Sequence, residues 1–281
     1  MHPLEHLRHV ARVDGADPAL VAREAASSLA EVARSTGVAG GVVGASGAAG
    51  AGLLPACRRL LDHHPSNGPL WWLCARVLAA FDPADEAREA GAALAHDQTS
   101  LRVADAVPEE SSVLVVGWPD TVAYALRRRG DLEVLLLDSG GDGAALARRL
   151  ESAGNEVALV PDRGVAPAAT VAGVVLLEAH AAGPGGLLAA PGSHAAAAVA
   201  SRSGVPVWAV CGVGRVLPAA LWEAALGRLD ASGLEPWERD VELVPAGLLD
   251  SVIGPTGSVP AEEGLAATTA PACPELLRPT A

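Results

Sequence analysis

Residues 113–160 read VLVVGWPDTVAYALRRRGDLEVLLLDSGGDGAALARRLESAGNEVALV, and three short apolar runs stand out in them: Val113–Val116, Glu133–Leu137 and Glu156–Val160. Between the runs lie Asp120–Arg129 and Gly143–Ala153, rich in Ala, Leu and Arg and long enough for two or three helical turns. Runs of this kind read as strands buried on both faces, and their alternation with helices predicts a parallel sheet with crossover helices. Val171–Leu177 and Val205–Val210 continue the series, separated by an Ala-rich helix over Ser193–Ser201. The fold class is therefore α/β, with a Rossmann-like parallel sheet.

Upstream of Val107 the pattern is helical. Ala19–Arg34 has its apolar residues a turn apart, Asp17 to cap it and Pro18 at its first position. Leu53–His64 and Pro83–His96 read as helices, and Leu70–Phe81 is apolar nearly all round, so that helix belongs inside. Val38–Gly52 is a glycine- and alanine-rich segment, either a loop or a tightly packed helix. The expected organisation is a helical domain over 1–106, a Rossmann-like α/β domain over 107–267 and a loosely held tail over 268–281, where Pro271, Pro274 and Pro279 recur.

Composition narrows the function. The chain has 281 residues, 50% of them hydrophobic, which is ample for a large core. Its net charge of −13 is the wrong sign for a protein that neutralises phosphates along a nucleic acid. All 20 basic residues are Arg. A Walker-A lysine and a Schiff-base lysine are thereby excluded, and pyridoxal phosphate with them. No long apolar run suggests a membrane span, and the first residues lack the pattern of a secretory signal. Cys57, Cys74, Cys211 and Cys273 form no CxxC pair, and His6 and His9 lack a carboxylate or cysteine nearby. No metal or cofactor is expected, and reduced thiols in the cytoplasm are.

Ligands of open parallel sheets lie beyond the carboxyl ends of the strands. The residues following the runs are Gly117, Asp138, Asp162, Glu178 with His180, and Cys211 with Arg215. Glu178, His180 and Cys211 are the candidates for acid–base chemistry. Gly117, Asp138 and Arg215 join them as ligand-binding candidates, with Gly185, Gly186, Gly192 and Ser193 as donors of backbone N–H to an anion. Each has a plainer reading as well: Asp138 as a helix cap, Glu178 and His180 as loop residues. No GxGxxG with a following acidic residue and no GxSxG occurs.

The order of these segments resembles the alpha, beta and delta subunits of eukaryotic translation initiation factor two-B. That superfamily also holds methylthioribose-1-phosphate and ribose-1,5-bisphosphate isomerases. Residues 110–126, ESSVLVVGWPDTVAYAL, follow the rhythm of the family strand ILTHSYSSTVLRVL. Leu135–Ser139 matches the strand that ends in ESRP, and Val157–Asp162 the V-T-L-I-x-D strand. Residues 174–193, VVLLEAHAAGPGGLLAAPGS, follow VIVGADRIxxNGxxxNKIGT; Gly204–Val210 follows GIPFYVAA, and Val241–Gly257 follows FDxTPxxLITxIITExG. The likeness spans about Val107–Gly264.

The resemblance implies an isomerase pocket, and the chain departs from it where the chemistry lies. The family's cysteine after the first strand corresponds to about Gly117. The aspartate of GADR falls on Ala179 in strict register and on Glu178 one residue earlier. Asn-Lys of NKIGT is replaced by Ala189-Ala190, and the arginine of ESRP by Gly140. The expected function is a non-catalytic member of the superfamily, binding a phosphorylated metabolite, a nucleotide or a protein partner. The alternative is an aldose–ketose isomerase acting on a sugar 1-phosphate through Glu178, with His180 or Cys211. The family also implies a homodimer built through the sheet domain, to which Trp208 and Trp222 would add apolar area, unless both are core residues.

Overall fold

The computed structural model describes residues 17–35, 52–139, 141 and 143–278. The expectations for His6, His9 and residues 38–51 lie outside them, as do Gly140 and Asp142. The chain divides into two compact units. One comprises the stretch up to His96 with Val213–Gly233 and the residues from Thr268 on; the other comprises Asp97–Gly212 and Leu234–Ala267.

The helical unit holds α1 (Pro18–Ser35), α2 (Leu53–His63), α3 (Gly68–Ala79), α4 (Pro83–Ala95) and α10 (Ala219–Asp230). Its centre is α3, whose apolar residues Leu70 to Ala75 are all buried, as the sequence implies. Burying two indoles requires partners for their N–H groups. Trp71 Nε1 donates to Pro65 O and Trp72 Nε1 to Thr269 Oγ1, each at 2.9 Å. Asn67 caps α3 by accepting from Leu70 N at 2.9 Å, and its amide donates to Pro18 O, tying α3 to the start of α1. Asp82 caps α4 through Ala84 N and Asp85 N.

Two features of this unit bear on the sequence reading, the first deciding between its alternatives for Trp222 and the second differing from the loose tail it expects. Helix α10 carries Trp222 into the helical core, where it is 1% exposed, so Trp222 is no contact surface. The segment from Thr268 to Arg278 is docked rather than loose: Cys273 and Leu276 are buried in it. Arg58 donates to Glu275 O at 2.7 Å, and Arg228, on α10, donates from Nη2 to Leu276 O at 3.0 Å and Arg278 O at 3.1 Å. The Arg228 guanidinium is 9% exposed, lies 4.5 Å above the Trp71 ring and has Nε 2.9 Å from Asp62 Oδ1.

Three thiols meet in the same unit. Cys57 on α2 and Cys74 on α3 are both buried, and Cys273 Sγ lies 3.5 Å from Glu275 Oε2. Burial, then the Cys57 contact, pushes the Cys74 thiol well up. Burial, then the Glu275 carboxylate, pushes Cys273 up to about 12. A folded pKa above the unfolded value of 9.0 stabilises the fold fully below pH 9 and loses that contribution as pH rises toward 12. Thermal melts should therefore show stability falling steadily above about pH 9, with a shallower fall for Cys273→Ser. Equal slopes for the two proteins would contradict this.

The sheet unit contains α5 (Thr99–Ala106), β1 (Ser112–Val116), α6 (Asp120–Leu126), β2 (Glu133–Leu137), α7 (Gly143–Glu151), β3 (Glu156–Val160), α8 (Val165–Val171), β4 (Val174–Glu178), β5 (Ala181–Gly183), β6 (Gly186–Ala189), α9 (Ser193–Ser203), β7 (Val207–Val210), β8 (Glu242–Pro245), β9 (Ser251–Gly254), β10 (Gly257–Pro260) and α11 (Ala261–Ala266). The seven-stranded sheet runs β10-β9-β7-β4-β1-β2-β3, all neighbours parallel except the β9–β10 hairpin. The five strands expected from the apolar runs are all present; Val171 belongs to α8, with Gly173 between it and β4. One face of the sheet (Val113, Val115, Val134, Leu136) packs with residues of α5, α6 and α7 into a single apolar cluster. Asn155 stitches the ends of these elements, its amide donating to Leu126 O and Leu150 O. β5, β6 and β8 form a separate antiparallel sheet. Among the described residues, no helix is long and apolar enough to cross a membrane.

Candidate functional site

The chain runs β1, β2, β3 outward and then returns to lay β4 against the other side of β1. This reversal is the topological switch point, where α/β sheets bind anions between strand ends and helix N-termini. Gly117 follows β1 and Glu178 ends β4, so the two flank it. Asp138 follows β2 on one side; Cys211 follows β7 on the other, and Glu178 is in register with Val210. The C-terminal rim therefore runs Cys211, Glu178, Gly117, Asp138 across four adjacent strands about 4.8 Å apart.

The anion places on this rim hold the protein's own carboxylates. Glu178 is 9% exposed, and its Oε2 accepts from Val122 N at 2.9 Å, in the first turn of α6. Asp138 Oδ1 accepts from Gly141 N at 2.8 Å and Gly143 N at 3.1 Å, at the start of α7. Glu242 Oε1 accepts from His194 N at 2.6 Å, in the first turn of α9. Helix N-termini attract negative charge through unpaired N–H groups and the helix dipole. Three carboxylates already satisfy that attraction here, and a bound phosphate would have to displace one of them or sit beside it.

Gly117 has φ +69°, a left-handed conformation that L side chains rarely adopt. A Cβ there would lie 3.1 Å from both Ala190 Cβ and Ser139 Oγ. The positions that the resemblance assigns to the isomerase thiol and to its Asn-Lys pair thus adjoin each other, occupied by Gly and Ala. Cys211 is 2% exposed, and its N–H donates to Ile253 O at 2.9 Å. His180 N donates to Leu188 O at 2.8 Å where the chain enters the β5–β6 hairpin.

The remaining candidates take structural places. Gly185 and Gly186 turn that hairpin, and a Cβ at Gly186 would lie 2.1 Å from Val244 O of β8. Gly192, at φ +94°, precedes α9, and Ser193 opens it, 1% exposed. Asp162 starts an exposed 3-10 turn after β3. Arg215 belongs to the helical unit, where it is 2% exposed and its Nη2 lies 3.2 Å from Asp17 Oδ1. Among the described residues no cluster of His, Cys, Asp or Glu is arranged to hold a metal ion. Glu242 was not foreseen; it acts on a helix 48 residues away, and nothing local in the sequence marks it.

No family model matches the sequence, and no curated protein matches it either. Solved structures do. The translation initiation factor 2B of Pyrococcus horikoshii superposes with a TM-score of 0.75 over 94% of this chain and 98% of its own, at 16% identity. The chain shares this fold. Initiation factor 2B beta from Chaetomium thermophilum gives a TM-score of 0.69 at 19% identity, covering 92% of this chain and 86% of that one. The 5-methylthioribose 1-phosphate isomerase of Pyrococcus horikoshii gives 0.61 at 17% identity, covering 94% and 86%. The resemblance read from the sequence is thus matched in three dimensions, and one fold serves both an initiation factor and an enzyme.

Proposed function

We propose that this chain is a non-catalytic member of the initiation factor 2B and isomerase superfamily, acting in the cytoplasm through assembly with protein partners rather than by turning over a sugar phosphate. The observation that carries this reading is the switch point itself. Glu178, the carboxylate nearest to an isomerase acid–base group, spends Oε2 on Val122 N, and the thiol position beside it is Gly117, pressed against Ala190. An isomerase of this fold needs a thiol and a carboxylate flanking the substrate, and cationic or N–H donors for its phosphate. The rim does offer Glu178 and, one strand away, the buried Cys211, but the positions that the resemblance assigns to the thiol and to the phosphate-binding Asn-Lys are Gly117 and Ala189-Ala190. Of the similar structures, the initiation factor 2B beta–delta complex of C. thermophilum is a tetramer, which favours assembly as the role retained when a pocket is lost.

The direct test is incubation of the purified chain with 5-methylthioribose 1-phosphate or ribose 1,5-bisphosphate, followed by NMR for the ketose product. The expected result is no conversion above the uncatalysed rate. Conversion that Glu178→Gln abolishes would instead establish the isomerase, with Glu178 as its acid–base group.

A further inference from the structure

The sheet unit carries a patch of positive charge on a chain whose net charge is −13. The patch lies on α6 and α7, which adjoin: Leu126 of the one and Leu146 and Leu150 of the other pack in the same apolar cluster. Their inner faces are buried there, and four arginines stand outside. Arg127 and Arg128 prolong the end of α6, where Arg127 N donates to Ala123 O at 3.0 Å. Arg148 and Arg149 lie in the last turn of α7, and all four are exposed. Tyr124, one turn before Arg127 and Arg128, shares their face and is 57% exposed. The Arg149 guanidinium lies 5.0 Å from the centroid of the Trp118 ring, and Trp118 Nε1 donates to Asp120 Oδ1 at 3.2 Å. Among the described residues, Arg127, Arg128 and Arg148 make no ion pair, in a chain with 33 acidic residues. Arg129, next in the same run, shows the contrast: it lies 2.6 Å from Asp131 Oδ2 and donates to Ala104 O at 2.8 Å.

A helix dipole favours a cation at each C-terminus, and one per helix meets that need. Two on each of two adjoining helices repel one another, a cost that an anion held among them offsets. We propose that this face of α6 and α7 docks an acidic segment of a protein partner, with carboxylates on Arg127, Arg128 and Arg148 and an apolar side chain on Tyr124. The proposal rests on the assembly reading above and gives it a surface. Guanidinium forks take carboxylates through two parallel hydrogen bonds, and arginine beside aromatic rings is the composition enriched at protein interfaces. Helices packed side by side lie about 8–10 Å apart, so carboxylates about two turns apart on a partner helix reach both. The overall charge selects among polyanions. A nucleic acid brings a long line of phosphates against the acidic remainder of the chain, whereas a short acidic segment brings its charge to the patch alone. A second copy brings a net charge of −13 of its own.

The test is fluorescence anisotropy of a dye-labelled acidic helical peptide, three repeats of Glu-Glu-Leu-Leu-Glu-Ala-Leu, titrated with the full chain at about 50 mM salt. Saturable binding with a Kd of about 10–100 μM is expected for the wild type, weakening as salt is raised. Arg128→Glu/Arg148→Glu should bind at least about tenfold more weakly, and Arg128→Gln/Arg148→Gln, which only removes charge, should fall between. Arg163→Glu/Arg202→Glu changes the net charge equally at exposed arginines elsewhere, and should bind within about twofold of the wild type. Melting temperatures like that of the wild type separate a lost contact from a damaged fold. A wild type that does not bind, or equal losses in the two Glu double variants, overturns the proposal. Displacement of the peptide by a single-stranded oligonucleotide at lower concentration than by unlabelled peptide would assign the face to a nucleic acid and overturn it too. So would a patch variant that sediments as a smaller species than the wild type, which would assign the face to a second copy. In each case the non-catalytic reading stands or falls separately, on the turnover assay.

Discussion

Gly186→Ala is expected to lower the stability of the protein by about 4 kcal/mol, among the largest effects of a single methyl group. Gly186 opens β6 at φ +140°, where an L side chain is strained whatever space it finds. Its added Cβ would stand 2.1 Å from Val244 O, 3.0 Å from Ala246 N and 3.1 Å from Pro245 Cα. These are backbone atoms of β8 and the turn after it, so no side chain can rotate away. β6 and β8 would have to separate, and with them the register of Leu187 with Val244 and Leu188 with Leu243. Gly227→Ala provides the contrast. Gly227 lies inside α10, with nothing within 4 Å of the added Cβ. Alanine there should stabilise by about 0.5–1 kcal/mol through helix propensity alone. Chemical denaturation of the two variants beside the wild type measures both, and effects of equal sign would refute the argument.

Arg228→Ala is expected to cost about 3 kcal/mol. The side chain joins three parts of the helical unit: Asp62 at the end of α2, Trp71 on α3, and the carbonyls of Leu276 and Arg278. Removing it leaves one carboxylate and two carbonyls without that cation. Breaking a buried pair from one side typically costs 3–5 kcal/mol, mostly through the charge left behind. Asp62 keeps 29% of its side-chain surface, so water recovers part of that loss and the lower end applies. Arg228→Lys should not rescue, since an ammonium cannot span two carbonyls and lie flat over an indole. Loss of the C-terminal anchor would also open the segment to proteolysis, so limited digestion should cleave near Leu276 in the variant before it does in the wild type. Melting temperatures and digestion patterns like those of the wild type would contradict this account.

The parallel sheet was legible in the sequence because its inner strands are buried on both faces and read as unbroken apolar runs, as Val113–Val116 and Val174–Glu178 do. Glu156–Val160 was read in the same way, though it lies at the edge and is largely exposed. The short strands were not legible. Gly186–Ala189, Glu242–Pro245 and Gly257–Pro260 are four residues each, bordered by Gly or Pro, and are held by long-range pairing that leaves no period to read. The place of α10 was missed for the same reason: Val213–Gly233 and Thr268 onward belong to the helical unit though far along the chain. At the site, the sequence placed Asp138, Glu178 and Cys211 after strands and so near one rim, and their order across the sheet comes from the fold. What each carboxylate does there did not follow. Glu178 meets Val122 across 56 residues and Glu242 meets His194 across 48, and only the fold brings such pairs together.

On the non-catalytic reading proposed above, the carboxylates at the switch point take the place of a phosphorylated ligand. The most direct measurement is the thermal stability of the wild-type chain titrated with 5-methylthioribose 1-phosphate, ribose 1-phosphate and inorganic phosphate. A ligand specific to the folded state, present at about a hundred times its Kd, would add about 2.7 kcal/mol and raise the melting temperature by several degrees. With Glu178 on Val122 N, Asp138 on Gly143 N and Glu242 on His194 N, we predict no shift from any of the three. A saturable rise with a sugar phosphate, absent with inorganic phosphate, would show that the pocket is alive and that these carboxylates frame a ligand site instead of filling one.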